Sequence, residues 1–284
     1  MSEPLAQLVT LLDLEPLEVN IYRGQNRDLG TAQVYGGQVF AQALVAARRT
    51  VDDGREAHSA HGYFILPGDL AAPIVYFVDR LRDGRSFTTR RVTAIQHGQA
   101  IFNLSVSFHV AEEGPTHQTD MGGVPDPGSI VPELQAIREN ASRIPEPLRS
   151  IITQERPIDV RPIHPYGMET RDPVRRAWFR ADGRLPDDPA IHRAVLAYAS
   201  DYGLLVTALQ PHGIAYRTPG LKLASLDHSL WMHRPFRADE WLLYSTDSPV
   251  SAGGRGFVRG TIHSRSGELV ASSAQEGLMR MSIR

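Results

Sequence analysis

Cysteine is absent from the 284-residue chain. That one absence removes thiolate nucleophiles, disulfides and thiolate metal sites together. An excess of charge is also lacking: thirty Lys and Arg against thirty-two Asp and Glu give a net charge of -2, which argues against nucleic-acid partners and a polybasic membrane anchor. No apolar run is long enough to span a bilayer as a helix. The opening MSEPLAQLVTLLDL carries Glu3 and Asp13 and no basic leader, so it reads as a packed amphipathic helix rather than a signal peptide. The missing GxSxG elbow argues against a serine hydrolase of the α/β type. Together these absences predict a cytoplasmic protein in a reducing compartment, with no membrane association.

What is present is a chain long and apolar enough, at 42% hydrophobic, for two domains with real cores. The stretch AVLAYASDYGLLVTAL, residues 194–209, poses the first question, because Asp201 sits in it. On a helical wheel its neighbours are Ala194, Ala197, Tyr198, Leu204, Leu205 and Ala208, which places the acid on a buried stripe. A buried carboxylate is costly unless it has partners or a role. A structural ion pair with an arginine is the alternative to chemistry.

Periodicity predicts a strand over LEVNIYRG (17–24), then a long helix from the paired glycines Gly36 and Gly37 with Phe40, Ala43, Leu44 and Ala47 on its apolar stripe. Blocks rich in β-branched and aromatic residues follow: SAHGYFIL, APIVYFVDRLRDG and SFTTRRVTAIQHGQAIFNLSVSFHV, with turns at Asp83-Gly84 and His97-Gly98. Residues 112–157 have the composition of a connector draped over a surface. Further strands are expected in PIDVRPI and RRAWFRADG, then the Asp201 helix, then a strand-rich tail.

That tail repeats the first. A shift of 168 residues lays Pro67 on Pro235, Tyr76 on Tyr244, Arg91 on Arg259 and Thr93 on Thr261, and a one-residue insertion brings Gly98 onto Gly267. Each half therefore reads as a long helix wrapped by antiparallel strands, an α+β arrangement. The expected domains are 1–118 and 158–284, joined by a linker over 119–157. The first helix has no acid where the second has Asp201, which predicts one active site per chain.

Four histidines, His58, His61, His228 and His233, sit in extended segments without HExxH or cysteine support, so metal binding is not expected. Asp227 and His228 are adjacent on a strand and point to opposite faces. GGRGFVRG misses the dinucleotide fingerprint. Arg82, Arg85, Arg90 and Arg91 read as strand-edge solubilisers before they read as phosphate contacts.

The runs VYGGQVFAQAL, HGYFILPGD, LRDGRSFTTRRVTAIQ, YASDYGLL, LQPHG, LDHSLWMHRPF, EWLLYSTDSP, GGRGFVRG and VASSAQEGLMR resemble the type II acyl-CoA thioesterases, from about residue 23 to Met279. The resemblance implies a tandem double hot-dog fold, hydrolysis of medium- to long-chain acyl-CoA to free fatty acid and CoA, and a homo-oligomer, dimer or tetramer. It implies no cofactor and no metal. Its catalytic Asp, hydroxyl and Gln fall on Asp201, Ser225 and Gln275. Where many members carry Thr, this chain has Ser225, which loses the methyl that fixes the rotamer.

These residue types suit the reaction. A buried Asp201 has a raised pKa and can take a proton from water, while Ser225 and Gln275 can orient that water and stabilise the tetrahedral species. Backbone N–H groups at Gly36-Gly37 are candidate oxyanion donors. Two alternatives stand beside this reading. A hydratase-type lyase would need a paired Asp and His on one pocket face, and a non-catalytic acyl-CoA binding module would bind without turnover. The C-terminal MSIR lacks an SKL-type peroxisomal address, in keeping with the cytoplasm.

Overall fold

The computed structural model describes residues 1–144, 146, 148–164, 169–216 and 218–281; most of the C-terminal MSIR therefore lies outside the described residues. The first helix, α1 (Glu3–Leu12), buries Leu5, Leu8 and Leu12 and is capped by the Ser2 side chain. The single strand expected over 17–24 is instead a hairpin, β1 (Glu15–Glu18) and β2 (Ile21–Gly24). The chain reverses at Asn20, whose φ of 62° is a left-handed conformation that Asn tolerates better than most residues. Helix α2 (Gly36–Arg48) starts at the paired glycines and buries the predicted stripe. Strands β3 (Arg55–Phe64), β4 (Ile74–Asp83), β5 (Phe87–Gln96) and β6 (Gln99–Val110) follow. Between β5 and β6, His97 and Gly98 both take positive φ, the two-residue reversal that matches strand twist.

Two short helices, α3 (Glu133–Glu139) and α4 (Leu148–Ile152), lie in the connecting segment. The second half comprises β7 (Ile158–Pro162), β8 (Val174–Ala181), α5 (Pro189–Ser200), α6 (Val206–Leu209), β9 (Leu221–Ser225), β10 (Asp227–Met232), β11 (Leu242–Ala252), β12 (Arg255–Ser264) and β13 (Leu269–Met281). The expected continuous helix over 194–209 does not form. Helix α5 stops at Ser200, Asp201 is its C-cap, and Gly203 at φ 66° breaks the path before α6.

Among the described residues all strands join one antiparallel sheet, in the order β1-β2-β4-β5-β6-β3-β10-β13-β12-β11-β8-β7, with β9 also on β13. The halves meet where β3 pairs with β10, and there His61 lies opposite Ser229. Those two residues are separated by the same offset of 168 as the sequence repeat, so a local two-fold axis passes between them. The repeat recurs in an ion pair on the outer face: Asp79 faces Arg91 across β4 and β5, and Asp247 faces Arg259 across β11 and β12. Such exposed pairs add little stability; their value here is that they fix the correspondence of the halves. Helices α2 and α5 pack against each other inside the curve of the sheet. The alternation of buried and exposed residues along β5, β10 and β12 is the period-two pattern of strands with one face turned to the helices.

Candidate active site

Asp201 stands where the C-terminus of α5 meets the N-terminus of α2. The contact requires both glycines. A Cβ on Gly36 would lie 2.8 Å from Asp201 Oδ2, and one on Gly37 would lie 2.4 Å from the Tyr198 carbonyl oxygen. Tyr35, the residue before α2, donates its hydroxyl to that same carbonyl at 2.9 Å and packs edge-on against the Tyr198 ring. The Gly37 N–H donates to the Asp201 carboxylate. An unpaired N–H at a helix N-terminus favours an anion, and here the anion is the protein's own. The expectation that Gly36-Gly37 supplies oxyanion donors is therefore corrected for Gly37, whose N–H is already engaged.

Two further side chains converge on Asp201 from the sheet. Gln275, in the middle of β13, donates from Nε2 to Asp201 Oδ1 at 2.7 Å, and its Oε1 is buried without a hydrogen-bond partner among the described residues. Ser225 ends β9, opposite Gly277 of β13, and its hydroxyl donates to Asp201 Oδ1 at 3.4 Å. A Cβ on Gly277 would lie 2.3 Å from Leu205, so glycine there lets the segment after Asp201 pack down on β13. Burial pushes the Asp201 carboxyl from its ordinary value of 3.8 up to about 6, against the opposing pull of the hydrogen bonds from Gln275, Gly37 and Ser225. All three residues predicted from the sequence thus meet at one carboxylate.

The carboxylate opens onto a cavity of about 2080 Å³, lined also by Tyr35, Tyr198 and Leu205. This exceeds the roughly 300–1,000 Å³ of an ordinary small-ligand pocket. Part of its wall comes from the connector, which was expected only to drape over the surface. The stretch at Gly123, Val124 and Pro125 already lines the cavity, and the buried Trp178 donates from Nε1 to the Pro125 carbonyl; the later part buries Glu133.

Several residues were not legible as part of the site's support. Ser200, next to Asp201, bonds to His228 Nε2 at 2.8 Å, and the Tyr244 hydroxyl donates to the Ser200 carbonyl at 2.9 Å. Burial drives the His228 pKa down to about 3, so this imidazole is neutral, and it packs edge-on to Phe40. Among the described residues no histidine bonds to Asp201. His58, His61 and His233 pair with the hydroxyls of Ser107, Ser229 and Ser272. Among the described residues no group of three or more His, Asp or Glu is placed to hold a metal ion.

The arginine expectation needs one correction. Arg90 is fully buried rather than at the strand surface, donating to the Thr50 hydroxyl and to the carbonyls of Thr50, Arg82 and Thr89, and pairing with Asp83. None of Arg82, Arg85, Arg90 and Arg91 lines the cavity.

A helix cradled in a curved antiparallel sheet, repeated in tandem with the acid at the helix junction, defines a double hot-dog protein. Family models described as acyl-CoA thioesterase and acyl-CoA thioesterase N-terminal domain match residues 149–278 and 26–109. Acyl-CoA thioesterase 2 of Haemophilus influenzae is 41% identical over 99% of this chain and 100% of its own length. The crystal structure of acyl-CoA thioesterase II TesB2 from Mycobacterium marinum is 41% identical, with a TM-score of 0.80 over 97% of this chain and 98% of that one. A hot-dog protein of unknown function from Alicyclobacillus acidocaldarius, 19% identical, shares the fold at a TM-score of 0.80 over 98% of this chain and 99% of its own. The chain belongs to the type II acyl-CoA thioesterase family and is a thioester hydrolase.

Proposed function

We propose that the chain hydrolyses medium- to long-chain acyl-CoA to free fatty acid and CoA, with Asp201, Ser225 and Gln275 acting on a single water. The observation that carries this reading is the convergence of the Gln275 amide and the Ser225 hydroxyl on one oxygen of a carboxylate whose pKa is pushed to about 6. Such a carboxylate is largely ionised at neutral pH yet a better proton acceptor than a free Asp. Water held between the Ser225 hydroxyl and the unpartnered Gln275 Oε1 gives up a proton to Asp201 as its oxygen attacks the thioester carbonyl. The tetrahedral oxyanion collapses with loss of the CoA thiolate, which takes up the proton. A thioester carbonyl has weak resonance stabilisation, so this route needs no covalent enzyme intermediate.

The hydratase alternative is disfavoured because, among the described residues, the partners of Asp201 are Gln275, Ser225 and Gly37 and none is a histidine. We also read residues 1–118 and 158–284 as the two hot-dog domains, with 119–157 between them, and the protein as a cytoplasmic homo-oligomer. Among the described residues no helix is long and apolar enough to cross a membrane. The test is free-thiol release from a panel of acyl-CoA chain lengths, run on the wild type and on Asp201→Asn. Turnover in the wild type and its loss in a folded variant are expected. Tight binding of acyl-CoA by the wild type without turnover would sink the catalytic reading in favour of a binding module.

A further inference from the structure

The connector carries more apolar surface toward the cavity than a linker needs. Ile137 of α3, Ile144, and Ile151 and Ile152 of α4 all line it, and all four are only half-buried. Half-buried isoleucines gathered on one wall of a large cavity call for an apolar occupant. The wall is not loosely held. Glu133 and Arg156, at either end of this stretch, form an ion pair at 2.6 Å, and the Tyr202 hydroxyl donates to the same Glu133 oxygen at 2.7 Å. Arg156 also donates to the Tyr202 hydroxyl and to the Ile152 carbonyl. A carboxylate as buried as Glu133 is expensive without such partners, and removing one would leave an uncompensated charge. The clamp closes the stretch into a loop and ties it to the residue that follows Asp201. Ile151 further packs on Gly30, whose φ of +73° and lack of a side chain leave it room.

We propose that the connector is the acyl-binding wall of the cavity: Ile137, Ile144, Ile151 and Ile152, held in place by the Glu133–Arg156–Tyr202 clamp, set the longest acyl chain the site accepts. This rests on the acyl-CoA reading above and adds a specificity-determining surface contributed by neither helix-and-sheet unit.

The test compares kcat/KM for palmitoyl-CoA with that for butyryl-CoA in the full-length protein. In Ile137→Trp and Ile152→Trp an indole fills space needed by the far end of a long chain. The palmitoyl-to-butyryl ratio is expected to fall about tenfold or more, because each methylene denied its apolar contact costs on that order. Butyryl-CoA turnover is expected to fall less than palmitoyl-CoA turnover, since a short chain has fewer methylenes to place against the wall. Ile152→Ala, which inserts no bulk, covers the case in which a Trp variant fails to fold and is expected to raise the stearoyl-to-palmitoyl ratio. Unchanged ratios in every folded variant overturn the inference. Should the wild type turn over no acyl-CoA at all, the parent reading fails instead. Calorimetric binding of the unhydrolysable dodecyl-CoA thioether then still tests the wall: about tenfold weaker binding in the Trp variants supports it, and equal affinity overturns it.

Discussion

Replacing Asp201 by Asn should make the protein inactive and, at neutral pH, more stable. The carboxyl titrates at about 6 in the folded chain against an ordinary value of 3.8, which corresponds to about 3 kcal/mol of differential interaction. The sign follows from proton counts. Between those two values the folded state holds a proton that the unfolded state has released, so stability falls as pH rises through this window. Above about pH 6 the full cost of holding the buried anion is present; below about pH 4 it is absent. Asn carries no such cost, but it offers one acceptor where Asp offers two, and losing one hydrogen bond returns about 1 kcal/mol. The net expectation is a gain of about 2 kcal/mol near pH 8 that falls by about 3 kcal/mol as the pH drops, leaving the variant about 1 kcal/mol less stable than wild type below about pH 4. Urea unfolding of both proteins at the two pH values measures it. Activity should fall about a hundred- to ten-thousand-fold, the usual contribution of a general base, and wild-type kcat/KM should rise with pH through about 6 and then level off. An Asn variant that is no more stable near pH 8 than near pH 4, relative to wild type, would refute the claim that this acid is held under burial strain.

Gly36→Ala brings a methyl to 2.8 Å from Asp201 Oδ2 and 2.9 Å from the Phe64 ring; it should lower kcat by about tenfold or more through displacement of the base, at a stability cost of about 1–3 kcal/mol read by thermal unfolding. Ser225→Ala should reduce kcat by about ten- to a hundredfold with little change in Tm, while Ser225→Thr should retain or raise activity, since the hydroxyl persists with a stiffer rotamer. Arg90→Leu removes a fully buried guanidinium from acceptors that are only part-buried and should cost about 1–3 kcal/mol in urea unfolding, while the folded fraction keeps wild-type kcat because Arg90 does not line the cavity.

The architecture was legible where local pattern and burial coincide. Strands β5 and β6 alternate cleanly and end in a His-Gly turn, and the apolar stripe of α2 follows two glycines. The pattern misled where it is blind to tertiary contacts. Residues 194–209 keep a helical period across Asp201, yet the helix ends at Ser200, because the acid's partners, the Gly37 N–H and Gln275, lie on other elements. The buried position of Arg90 was hidden for the same reason: its acceptors are carbonyls on three separate stretches, a pattern no residue spacing records. The individual roles of Ser225 and Gln275 came from motif resemblance. A serine at a strand end and a glutamine within a strand carry no signal of their own until a fold sets them against one carboxylate.

The two-fold relation of the halves explains why only one helix junction carries the acid. Where α5 is capped by Asp201, α2 is capped by Arg49. The strand pairing extends the comparison: Ser225 lies opposite Gly277, and its counterpart Ala57, 168 residues earlier, lies opposite Phe108. The one-residue insertion in the repeat places Val106 where the second half has Gln275. A base, a hydroxyl, an amide and a glycine in one half thus correspond to a cation, a methyl, an isopropyl group and a phenyl ring in the other. Phe108 and Val106 are both fully buried, and the buried Arg90, opposite Val106, donates to Thr50 next to Arg49, so the first half's counterpart of the site is occupied by side chains. A duplicated fold offers two equivalent junctions, and burying Phe108 and Val106 at one of them gains energy that an open site at the same place would forgo. The second half bears the buried, hydrogen-bonded carboxylate, and the close packing of the first gives α2 a firm seat from which its N-terminus holds that carboxylate.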